Sequence, residues 1–78
     1  MTNTTTKTAP TETDAMRAGV RWAKSRLTAG TSPAGVAAVA YEAGARWNRE
    51  WRGSRRPVVL SVVNAFAEMA IETADNAQ

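Results

Sequence analysis

The chain has 78 residues, 44% of them hydrophobic, a formal net charge of +3 and neither cysteine nor histidine. That length allows one domain, with a core that supplies only about 3–5 kcal/mol by itself. Disulfides are excluded, and a zinc site would have to be built from carboxylates alone, which zinc rarely accepts. The basic balance, mostly arginine, suits an acidic partner (nucleic acid, an anionic membrane or an acidic protein), but +3 is also an ordinary solubility charge.

Residues 1–10 are rich in threonine and poor in apolar side chains, which predicts a disordered tail. Residues 11–76 are expected to form a single helical domain, with helices over about 12–29, 33–52 and 57–74. The first helix should start near Thr11 or Thr13. Thr11 with Asp14 three residues on has the form of a capping box, and Glu12 and Asp14 suit the positive end of a helix. Met16, Val20, Ala23 and Leu27 make a narrow apolar stripe. Arg17, Arg21 and Lys24 make a basic stripe beside it. Trp22 falls off both stripes among Ala15, Ala18 and Ala29. It is read either as a second contact surface or as the mark of a helix held in a corner between two others.

Ala29-Gly30-Thr31-Ser32-Pro33 is the clearest break in the chain. Gly30 can take the left-handed conformation that ends a helix. Ser32 can cap the next helix, and Pro33 fits its first position. In the second helix Val36, Ala40, Ala43 and Trp47 form the expected core stripe, flanked by Ala37, Gly44 and Trp51. Its small residues let another backbone come close, and Gly53 is expected to end it.

Arg56 precedes a proline and should be extended, and Pro57 is expected to start the third helix. There Val59, Val62, Val63, Phe66, Met69, Ala70 and Thr73 share one face. Leu60, Ala67, Ile71 and Ala74 extend it round one side. So wide an apolar arc needs two helices of its own chain, or one helix and a second subunit. Glu72 and Asp75 oppose the negative end of the helix, so it should fray beyond about Ala74. The expected fold is all-α: a small antiparallel three-helix bundle, joined by short turns and self-associating as a homodimer.

The residues offer little to catalysis. There is no histidine for acid–base work, no base is placed beside Ser25, Ser32, Ser54 or Ser61, and Gly30 and Gly35 lack the lysine and spacing of a phosphate loop. Glu68 and Glu72 at i, i+4 read as a solvated strip. No enzyme activity, cofactor or metal is therefore expected. The chain starts without the apolar run of a secretory signal, and no apolar run approaches the ~20 residues that span a bilayer. The expected location is cytoplasmic, with no membrane partner.

Two binding readings remain. The first is a regulatory protein-interaction module. Its partner is a protein of unstated identity, met through Trp22, Arg17, Arg21, Leu60 and Ile71, since interfaces favour aromatic residues and arginine. The second is a DNA- or RNA-binding protein using the segment Arg46 to Arg56, which holds five arginines and two tryptophans. Arg46, Arg49, Arg52, Arg55 and Arg56 match phosphates, and Trp51 can stack on bases. Within this second reading, Ala40 and Gly44 have a spacing that resembles the alanine and turn glycine of a helix-turn-helix. That resemblance spans about twenty residues and would place Arg46, Asn48, Arg49 and Arg52 near DNA. Against it, Glu50 and Gly53 occupy positions that should be apolar, and Ala45 stands where a larger aliphatic is usual.

Overall fold

The computed structural model describes residues 9–77. They form three α-helices of 17 residues each: α1 (Glu12–Thr28), α2 (Pro33–Arg49) and α3 (Leu60–Asn76). A 3-10 turn, Trp51–Gly53, follows α2. Among the described residues there is no strand, and no helix is long and apolar enough to cross a membrane. The expected tail over residues 1–10 lies outside the described residues except for its last two. Of these, Pro10 is buried, as is Ala15. They occupy the two positions of a hydrophobic staple across the first turn of α1.

The helix ends follow local chemistry. The Thr11 hydroxyl accepts from the Asp14 N–H at 3.0 Å, and the Asp14 carboxylate accepts from the Thr11 N–H at 2.9 Å. This is the reciprocal capping box, with the shorter Asp in place of Glu. At the far end of α1, Gly30 has φ 105°. Its N–H donates to the Leu27 carbonyl, and the Thr31 N–H donates to that of Arg26. Those paired bonds make a Schellman ending. The Ser32 hydroxyl then accepts from the Gly35 N–H at 3.0 Å, with Pro33 in the first turn of α2.

Three expected boundaries are corrected. α2 stops at Arg49 rather than 52, because Arg52 (φ 51°) and Gly53 (φ 77°) are both left-handed and turn the chain away. α3 starts at Leu60 rather than at Pro57. Val59 is extended (φ −108°, ψ 117°), and its N–H donates to Oδ1 of Asn48 at 2.7 Å. The β-branched Val58 and Val59 favour that extended backbone. The C-terminus of α3 does not fray at Ala74 but runs to Asn76. Ala74 is fully packed in the core, which outweighs the few tenths of a kcal/mol by which acidic residues disfavour a helix end.

α3 is the element the others pack on. α1 and α2 each lie along it and touch one another far less. The wide apolar arc of α3 is thus covered by two helices of its own chain, through Val62, Val63, Phe66, Ala67, Ala70 and Ala74. Two clusters divide the core. One joins Ala23, Val36, Ala40, Ala67, Ala70 and Ala74; the other joins Ala15, Ala18, Val62 and Phe66.

The buried face of α1 is the expected stripe only in part: Ala23 lies in the core and Leu27 packs against it. Ala15, Ala18, Gly19 and Ala23 are buried, whereas Met16 is 41% exposed. Trp22, expected off the stripe, packs half-buried against both clusters. The reason is the close approach of α1 to α3: a Cβ at Gly19 would collide with the Phe66 carbonyl. Only small side chains fit such a contact, so Met16 turns outward and Val20 stays half-buried beside it. On α2 the buried line is Val36, Ala40, Gly44 and Asn48, a strict i+4 series. Val36 and Ala40 of the expected stripe lie on this line, while Ala43 and Trp47 lie at its edge, half-buried.

Candidate functional site

Because α1 and α2 both lean on α3 and barely meet, a seam stays open between them. It contains a groove of about 420 Å³. Trp22 from α1, Trp47 and Ala43 from α2 and Phe66 from α3 line it, with Arg21, Arg46 and Glu50 at the rim. The seam continues past Trp22 to Arg26, Val39 and Glu42. The aromatic rings form one connected series. Trp22 and Trp47 lie 5.7 Å and 5.8 Å from the Phe66 ring, and Trp47 meets Trp51 edge-on at 5.0 Å. The Arg52 guanidinium stands 4.9 Å over the Trp51 ring, a cation–π contact. Rings at these distances and tilts gain beyond simple burial.

A second hollow, about 490 Å³, lies where α2 passes into α3. Arg49, Glu50, Arg55, Arg56 and Pro57 line it, so Glu50 belongs to both hollows. The loop here is braced. The Ser54 hydroxyl donates to the Trp51 carbonyl at 2.8 Å and accepts from an Arg56 Nη at 2.9 Å. Asn48 holds the other end of the loop at Val59.

The structure distributes the candidate residues over several places. Arg21 and Trp22 share the seam with Arg46. Arg17 is elsewhere, beside Met16, Val20 and Met69. Leu60 opens α3 and is 73% exposed, with Val59 exposed beside it. Ile71 is half-buried against the core cluster of Ala67, Ala70 and Ala74. Arg49, Arg55 and Arg56 come together in the second hollow, while Arg52 covers Trp51. The five arginines of the basic segment therefore fall into three groups, with Glu50 between two of them.

The helix-turn-helix reading meets a direct obstacle. α2 runs unbroken through Gly44, consistent with the cost of only ~1 kcal/mol for a glycine inside a helix. Asn48, assigned to DNA in that reading, is fully buried. Its role was legible only as the next member of the series Val36, Ala40, Gly44. Helical spacing puts Phe66 on the core face of α3 and carries no sign that it links the rings of the seam.

The Asp14 carboxyl is more acidic than an ordinary aspartate. Its pKa is lowered from 3.8, first by the hydrogen bond from the Thr11 backbone, then by the Thr11 hydroxyl, with smaller help from the charges of Arg52 and Arg17. This is helix-cap chemistry. Among the described residues, no group of three or more acidic, His or Cys side chains is placed to hold a metal. Compared with protein-family models, curated proteins and solved structures, the chain matches none.

Proposed function

We propose that this chain is a small non-enzymatic regulatory module that works by binding another protein in the seam between α1 and α2. One observation carries the reading: three aromatic side chains from three helices line a single open groove with charges only at its rim. Aromatic and arginine anchors in a preformed hollow are what binding hot spots consist of. A helix laid in the seam would complete a four-helix arrangement, the helix-in-groove mode of recognition. Arg21, Arg46 and Glu50 would orient it through charge. In this reading consecutive helices run antiparallel. The clusters support that, since the first half of α1 groups with the first half of α3 and the second half of α2. The expected setting is the cytoplasm.

The test is affinity capture from extracts of the source organism with two full-length variants. Ala43→Arg fills the groove, and Ala38→Arg adds the same charge on an exposed part of α2. A protein retained by wild type and by Ala38→Arg but lost with Ala43→Arg is the expected result. Identical capture by all three, with α-helical spectra unchanged, sinks the groove.

Self-association is a separate part of the proposal. Leu60 and Val59 together expose an apolar corner at the start of α3, and a homodimer would cover it. A second reading, nucleic-acid binding, is favoured only by the meeting of Arg49, Arg55 and Arg56 in one hollow.

A further inference from the structure

Three arginines, Arg49, Arg55 and Arg56, line the hollow between α2 and α3, with Glu50 the one acidic residue among them. Arg49 comes from the last turn of α2, and Arg55 and Arg56 from the connecting loop. The loop is pinned at both ends, which fixes the backbone that carries Arg55 and Arg56. Asn48 holds the Val59 N–H at one end. Ser54, tied to the Trp51 carbonyl, holds one Nη of Arg56 at the other. The inner edge of Arg56 is enclosed, and its Nε has no hydrogen-bond partner among the described residues. A half-buried cation short of acceptors is unfavourable until an opposite charge comes near. An anion in the hollow supplies that charge without touching Nε.

We propose that Arg49, Arg55 and Arg56 form a discrete site for a phosphate-type anion, separate from the groove between α1 and α2 but sharing Glu50 with it. The favoured form is a dianionic phosphate, free or as a terminal monoester. Planar guanidinium forks pair two N–H groups with two phosphate oxygens, and several can share one phosphate. A nucleic-acid backbone offers single charges spread along a track. Here Arg46 and Arg52, which such a track would need, line other surfaces. Glu50 sets the upper limit on affinity, because its carboxylate repels the same anion.

The experiment is a titration of the ¹⁵N-labelled full chain with inorganic phosphate, followed by NMR at ionic strength matched with chloride. Saturable shifts of the arginine Nε–H signals and of amides around residues 49–57 are expected. Arg49→Gln and Arg55→Gln should each weaken binding by about tenfold, one charge-assisted hydrogen bond or more. Glu50→Gln should tighten it, and Lys24→Gln, on the exposed face of α1, should not change it. Arg56→Gln is set aside because that side chain also braces the loop. No saturation by about 10 mM phosphate, ten times a Kd of 1 mM, overturns the site. So does equal weakening by Lys24→Gln, which would show only general charge attraction. A parallel titration with mixed-sequence single-stranded DNA separates the sources. If DNA binds more tightly than phosphate, and Arg46→Gln and Arg52→Gln weaken it as much as Arg49→Gln, the arginines are a nucleic-acid track and the discrete site is wrong.

Discussion

Gly19 on α1 lies directly against the backbone carbonyl of Phe66 on α3, with no room between them for a methyl group. Gly44 on α2 approaches the same residue from the other side. A Cβ there would stand 3.1 Å from Phe66 Cδ1 and 3.2 Å from the Val63 carbonyl oxygen. Phe66 is therefore clamped between two glycines, and the two differ in what they meet. Gly19 meets backbone, which cannot yield; Gly44 meets in part a side chain, which can.

Alanine at these positions should separate the two cases. Gly19→Ala forces α1 away from α3, an overpacking cost of about 1–3 kcal/mol that exceeds the ~1 kcal/mol gained in helix propensity. Gly44→Ala should come out within about 1 kcal/mol of wild type, because the two terms nearly cancel. Urea denaturation followed by circular dichroism measures both. Gly19→Ala at or above wild-type stability would refute the close contact.

Asn48→Ala should destabilise by about 1–3 kcal/mol, the cost of leaving a backbone donor without its acceptor. The loss should appear locally as well. The Val59 amide, now bonded to Asn48, should exchange faster with solvent than amides in the middle of α3. Unchanged exchange at Val59 would mean the bond does not hold the loop.

Asp14 makes stability depend on pH in one direction. Its folded pKa lies below 3.8, so the unfolded chain binds the proton more tightly. The contribution is fully present above about pH 4 and fades as pH falls through the folded value. Asp14→Asn should therefore flatten the acid side of a stability profile while leaving the neutral side less affected by pH. A profile below pH 4 that is identical for the two proteins contradicts the capping box as the source.

Leu60→Glu should leave the fold intact, since Leu60 is 73% exposed. If the corner of Leu60 and Val59 joins two copies, light scattering should show a dimer for wild type and a monomer for the variant. The same mass for both removes that corner as the interface. Ile71→Glu is expected to behave differently and to lower stability, because Ile71 packs against the core.

Trp22 carries the difference between a core residue and a surface residue. It is half-buried and packs against both clusters, so Trp22→Ala should cost about 2–3 kcal/mol, below the range for a fully buried tryptophan. A change under about 0.5 kcal/mol, the range for an unimportant surface site, would place it outside the core.

The helical class, the caps and most of the punctuation are legible in the residues alone. Thr11 with Asp14, Gly30, and Ser32 with Pro33 act through bonds reaching only three to five residues, so local chemistry sufficed. The breadth of the apolar face on α3 also called for two neighbours, and two helices supply them. Tertiary structure alone decided which face of α1 turns inward. Large side chains favoured Met16 and Val20, but the approach of α1 to the Phe66 backbone favours Gly19 and the alanines beside it. It also decided where α3 begins, because Asn48 reaches across eleven residues to hold Val59 extended. The grouping of the arginines depends on the same turn: beyond the left-handed Arg52 the chain comes back along the end of α2, and Arg55 and Arg56 line one hollow with Arg49. Helical spacing cannot express any of these, because each depends on how closely two backbones approach or where the chain stops being a helix.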